Sequence, residues 1–245
     1  MALITPPVLV VFLAFLAAIF LRRHRAESLD EVAIPETYPA PHQGSFSELI
    51  LVASDFIRLD QTTPSVTALP GINNTAIATV GGLAVLRHEP YRVTEDIDFC
   101  LSDSQIGKGI KKALARDRPE HCQFFADIFK FRTTGRWVQI DFVPAEKMPF
   151  IPAHAQSITS IDPAAIPIAS RQELLALKAA SCGYRGVRAL NRKDAEDFWI
   201  LSQGFLGTQY LPLLTPEQRL LIGREACGKL RRALRKPTWD GKLPY

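Results

Sequence analysis

Apolar spacing divides this chain into blocks of different character. Residues 2–21 (ALITPPVLVVFLAFLAAIFL) carry no charge and run directly into Arg22, Arg23, His24 and Arg25. As a helix such a run spans about 30 Å, the hydrocarbon thickness of a bilayer. The basic cluster behind it predicts a single-pass membrane anchor over residues 1–25, with the remainder facing the cytoplasm. The alternatives are a secretory signal, which would normally carry its positive charge before the apolar run, and a helix packed on the domain. Residues 26–45 (including PETYPAPHQGS) have no periodic apolar face and predict a linker.

From Phe46 the spacing becomes regular. Leu49, Ile50, Ala53, Phe56 and Ile57 form a helical stripe within residues 46–60. AIATV (76–80) is a short β-rich run ending at Gly81-Gly82, and LAVLRHE after it predicts a short helix closed by Pro90. DIDFCL (96–101) predicts a strand, IGKGIKKALARD (106–117) a basic helix, and residues 124–144 a hairpin of two β-rich runs turning at Thr133-Thr134-Gly135. Beyond Pro152 the pattern turns helical. Ser170 to Glu173 and Thr215 to Gln218 are capping boxes, each opening a helix, and residues 192–203 predict a third.

The expected fold is therefore α+β: a small mixed sheet with flanking helices over residues 46–150, a helical C-terminal lobe over 151–245, and the N-terminal hydrophobic helix. A net charge of +4 permits an anionic ligand without marking a dedicated nucleic-acid binder. Cys100, Cys122, Cys182 and Cys227 are widely spaced with no C-x-x-C pair, which reads as reduced structural thiols.

Candidate chemistry lies in the strand at 96–101. Residues two apart on a strand share a face, so Asp96 and Asp98 project together while Ile97 and Phe99 point the other way. Neighbouring carboxylates near a core repel and call for a cation. Magnesium takes oxygen ligands, usually one or two carboxylates plus phosphates and waters. Asp141 occupies a similar apolar strand (VQIDF, 138–142), and if that strand lies beside the first, three carboxylates converge with room for two metal ions. A lone D-x-D is a weak sign, since surface strands often carry one. Gly81-Gly82 at a strand-to-helix turn adds a place where backbone N–H groups can approach phosphate oxygens. The ordered set, glycine turn, D-x-D, later Asp, is more specific than any member.

These residues, Gly81, Gly82, Arg92, Thr94, Asp96, Ile97, Asp98 and Asp141, resemble the DNA polymerase β-type nucleotidyltransferase superfamily. Within it the pattern is similar to the minimal AbiE-type toxin nucleotidyltransferases, whose helical lobe carries a lysine and a later Lys-Asp pair, here Lys178 and Lys193-Asp194. The resemblance covers about residues 46–205. It implies Mg²⁺-dependent transfer of a nucleoside monophosphate from an NTP to an acceptor hydroxyl, with two ions held by Asp96, Asp98 and Asp141. It places Gly81, Gly82, Arg92, Thr94 and Lys178 near the nucleotide, with Asp194 orienting Lys178 or the nucleotide. Read locally, Asp197 is a helix partner for Lys193 four residues before it.

Two other readings stay open at the level of sequence. One is a non-catalytic nucleotide-binding module of the same fold. The other is a membrane-anchored D-x-D glycosyltransferase, which fits less well because only about fifty residues separate the linker from the D-x-D. The acceptor (RNA, protein or small molecule) is not indicated, and the chain is expected to be a monomer.

Overall fold

The computed structural model describes residues 46–90, 94–133, 136–203 and 213–234. The expected anchor at 2–21 and linker at 26–45 fall outside them. Among the described residues no helix is long and apolar enough to cross a membrane. The localisation read from the sequence, a single-pass anchor with the domain facing the cytoplasm, is corrected on that finding.

The first helix, α1 (Phe46–Thr62), buries Leu49, Val52, Ala53, Phe56 and Ile57. A short α2 (Pro64–Thr67) leads to β1 (Ala76–Val80), α3 (Gly81–His88) and β2 (Asp96–Leu101). Next come α4 (Ser104–Asp117), β3 (Cys122–Phe125), β4 (Ile128–Thr133) and β5 (Arg136–Pro144). The tight β6 (Gln156–Ser157) precedes the helices α5 (Arg171–Ser181), α6 (Arg188–Gln203), α7 (Pro216–Leu221) and α8 (Arg224–Leu234). The mixed sheet has the order β3-β4-β5-β2-β1-β6, with β2 and β5 parallel and the other pairs antiparallel. This is the expected α+β architecture.

Strand alternation sends the sheet's side chains into two cores. Ile97, Phe99 and Leu101 of β2 join α1 and α4 in one. Phe56 of α1 anchors it, stacked on Phe99 at 5.9 Å between ring centroids and edge-on to Phe131 at 5.5 Å. Cys100 points the opposite way, into a second core with Val85 of α3, Leu174 and Leu175 of α5, and Phe198 of α6. Asp96 and Asp98 share the parity of Cys100, so they face the helical lobe.

The structure departs from the expected elements in three places. The anticipated two-run hairpin is three strands, because Asp127 and its neighbours turn the chain once more between β3 and β4. After residue 152 the chain first returns to the sheet: β6 pairs with β1, and the Thr79 N–H donates to the Pro167 carbonyl at 2.7 Å. The long C-terminal helix is two, broken at Ile222-Gly223. Both capping boxes are present, Ser170 with Glu173 and Thr215 with Gln218. Cys100, Cys122 and Cys182 are buried and free, as expected of reduced structural thiols, while the side chain of Cys227 falls outside the described residues.

Candidate active site

The parallel register of β2 and β5 sets Asp98 directly opposite Asp141. One oxygen from each of Asp96, Asp98 and Asp141 lies within 4.8 Å of the others. An all-carboxylate oxygen set of this size suits a hard divalent cation such as Mg²⁺. The crowding is visible in Asp98, whose pKa is pushed up to about 7 by burial and by the charges of Asp96 and Asp141, against the opposing effects of Lys178 and the Gly82 N–H. Each outer carboxylate is held by a neighbour on its own strand or just before it. The Thr94 hydroxyl donates to Asp96 at 2.5 Å, and the Gln139 amide donates to Asp141 at 2.5 Å.

The glycine turn meets these carboxylates directly. Gly81 has φ +63°, and a Cβ built there would lie 1.9 Å from an Asp98 carboxylate oxygen. No other residue fits that position without displacing Asp98. Val80 ends β1 opposite Asp98, so the same strand pairing that places Asp98 also places the turn beside it. Gly82 is buried at the start of α3, and its backbone N–H opposes the rise in the Asp98 pKa.

The helical lobe contributes a buried ionic cluster. Lys178 of α5 lies 3.0 Å from Asp194 and 2.7 Å from Asp197, both on α6, and the Arg185 guanidinium donates to Asp194 at 2.7 Å. Burial would lower the Lys178 pKa, but the two aspartates outweigh it and the value is raised. Leu174, Leu177, Lys178 and Ser181 share one face of α5 and wall a cavity of about 690 Å³ that also opens onto Gly81, Asp98 and Arg185.

The structure therefore brings together Gly81, Gly82, Thr94, Asp96, Asp98, Asp141 and Lys178, with Asp194 behind Lys178. Arg92 falls outside the described residues. Asp197 is corrected from a local helix partner of Lys193 to a buried partner of Lys178, because α6 presents Asp194 and Asp197 inward and Lys193 outward. A K-D-x-x-D spacing would have signalled it, since residues three apart share a helix face. Gln139, two residues before Asp141, was equally readable. Lys111 was not: the β4–β5 pairing ends at Lys130 and Gln139, and Lys111 of α4 reaches Asp141 at 3.6 Å beside the rings of Phe129 and Phe142. Burial lowers its pKa, with Asp141 opposing.

Residues 78–221 match the family described as nucleotidyl transferase AbiEii toxin, type IV TA system. No curated protein matches the chain. Among solved structures it is similar to an antigenic nucleotidyltransferase-like protein from Paracoccidioides brasiliensis, with 16% identity and a TM-score of 0.50 over 82% of this chain and 94% of that one. At that identity the likeness is one of fold.

Proposed function

The chain belongs to the AbiEii nucleotidyltransferase toxin family and is a nucleotidyltransferase; from that premise we propose that it moves a nucleoside monophosphate from an NTP to an acceptor hydroxyl with Mg²⁺ as cofactor. The bond formed joins the acceptor oxygen to the α-phosphorus, and the bond broken releases pyrophosphate. The observation that carries this reading is the convergence of Asp96, Asp98 and Asp141 beside the Gly81 turn. Asp96 and Asp98 would hold the ions, two in number, with Asp141 completing the set. When bound, Mg²⁺ supplies Lewis-acid polarisation of phosphoryl oxygens and lowers the pKa of a coordinated hydroxyl.

The chain's own groups do the positioning. The N-terminus of α3, with no side chain at Gly81, lets phosphate oxygens approach the backbone. Asp141, more open than the buried carboxylates of the helical lobe, orients the acceptor hydroxyl. Lys178 presents positive charge to the cavity while Asp194 and Asp197 fix its ammonium. The test is label transfer from each α-³²P-labelled NTP into RNA, protein and small-molecule fractions. Asp96→Ala is expected to abolish labelling with the circular dichroism spectrum unchanged. Labelling by this variant at the wild-type rate would refute the assignment.

A further inference from the structure

We propose that the nucleobase of the NTP is held in a slot built by Tyr184 and Lys229, separate from the groups that hold the phosphates; the inference rests on the nucleotide reading above. The large cavity is lined by the charged groups of Asp98, Lys147, Lys178 and Arg185. A second cavity of about 320 Å³ lies within the helical lobe, walled by Ala179, Leu220, Leu221, Ala226 and Lys229. Ala180 and Tyr184 line both. A nucleoside triphosphate divides in the same way, into a charged tail and a flat base with apolar faces. With the tail beside the carboxylates, the base meets Tyr184, which adjoins Arg185 in sequence and is the one aromatic residue among the described residues lining either cavity.

Tyr184 is prepared for that contact. Tyr184 is 73% exposed, so ordinary core packing does not hold it. Instead the Lys229 ammonium sits 3.8 Å from its ring centroid, a cation–π contact that covers one face of the ring. The preceding Gly183 has φ +84°, and a Cβ there would lie 2.7 Å from Lys229 Cδ. The turn between α5 and α6 is thus shaped to seat Lys229 against the ring, leaving the other face for stacking. Ala179, Ala180, Gly223 and Ala226 keep the adjoining walls low, which suits a planar group. The Asn191 side chain braces the same turn by accepting from the Gly183 N–H at 2.7 Å and donating to the Arg185 carbonyl at 2.7 Å.

The experiment compares binding of a non-hydrolysable NTP and of inorganic tripolyphosphate, each with Mg²⁺, by calorimetry on the full chain. Tyr184→Ala is expected to weaken NTP binding about ten-fold or more, the usual effect of removing a stacked aromatic side chain. The same variant should leave tripolyphosphate affinity unchanged, and Tyr184→Phe should bind NTP like wild type. Lys229→Met is expected to fall between wild type and Tyr184→Ala. Unchanged NTP affinity in Tyr184→Ala, or equal losses for NTP and tripolyphosphate, would overturn the slot. Failure of the wild-type chain to bind either ligand would instead overturn the nucleotide reading beneath it.

Discussion

Replacing Asp98 by asparagine should make the metal-free protein more stable near pH 8, by a margin that shrinks as pH falls. The Asp98 pKa stands at about 7 against an ordinary value of 3.8. Between those values the folded chain retains a proton that the unfolded chain has released. Stability therefore falls as pH rises through this window and reaches its floor above pH 7. The full gap corresponds to about 4 kcal/mol. Asparagine removes the charge and keeps an oxygen for the Gly82 N–H, but its buried amide needs partners of its own, at a cost of about 1–3 kcal/mol. That cost is independent of pH, so the informative quantity is a difference. Between pH 5 and pH 8, in EDTA, the advantage of Asp98→Asn over wild type should grow by about 2–3 kcal/mol. For a chain of this length that is about 5–10 °C in Tm, read by thermal unfolding of both proteins at both pH values. An advantage that stays constant or shrinks toward pH 8 means that Asp98 is not buried among the other carboxylates as described. Mg²⁺ added at pH 8 is expected to raise the Tm of wild type and to leave that of the same variant unchanged.

Two further outcomes test the glycine turn and a buried carboxyl remote from it. Gly81→Ala puts a methyl group where an Asp98 oxygen already lies and forces a left-handed backbone on alanine; it should cost about 1–2 kcal/mol of stability or more, and lower transfer about 100-fold by misplacing the carboxylate, as measured by urea unfolding and label transfer. Asp60 is buried on α1, neither of its oxygens has a hydrogen-bond partner among the described residues, and burial raises its pKa well above the ordinary value. Wild-type stability should therefore decline as pH rises from about 4 toward the folded pKa, and Asp60→Asn should flatten that part of the profile; an unchanged slope would show that the carboxyl finds solvent.

The site was readable in sequence wherever its geometry is local, and unreadable where it depends on how elements pass one another. The Asp96–Asp98 face follows from strand periodicity alone, and the Gly81 turn from its place at the end of an apolar strand. The capping boxes of α5 and α7 were legible because Ser170 and Thr215 act on residues three positions away. Asp141 was a conditional reading that needed β5 beside β2, and the parallel pairing meets that condition. Lys111 had no sequence signal, since it lies on a different element from Asp141 and the two meet only through tertiary packing. The return of residues 156–169 to the sheet was hidden for a similar reason. That segment pairs with β1 through a few backbone bonds and has no apolar alternation of its own. The break at Ile222-Gly223 was passed over because one glycine costs a helix only about 1 kcal/mol, too little to mark an end by itself.

The charge arrangement explains why the helical lobe belongs to the site. Lys178 looks at first like the counter-ion of the acidic triad, yet it lies between Asp194 and Asp197. Those contacts fix its position and also spend much of its field, and Arg185 on Asp194 returns part of it. Among the described residues of the cluster, five carboxylates (Asp96, Asp98, Asp141, Asp194 and Asp197) face three cations (Lys111, Lys178 and Arg185). The shortfall of two charges is concentrated on β2 and β5, because the lobe's aspartates are already paired. A lobe without charged groups would leave the triad's field equally strong but unshaped. A lobe with an unpaired lysine would lower Asp98 and weaken its demand for a divalent ion. Pairing Lys178 internally supplies a fixed positive point for a phosphate while keeping the carboxylates short of charge, and both properties are needed where a triphosphate and its cation must arrive together.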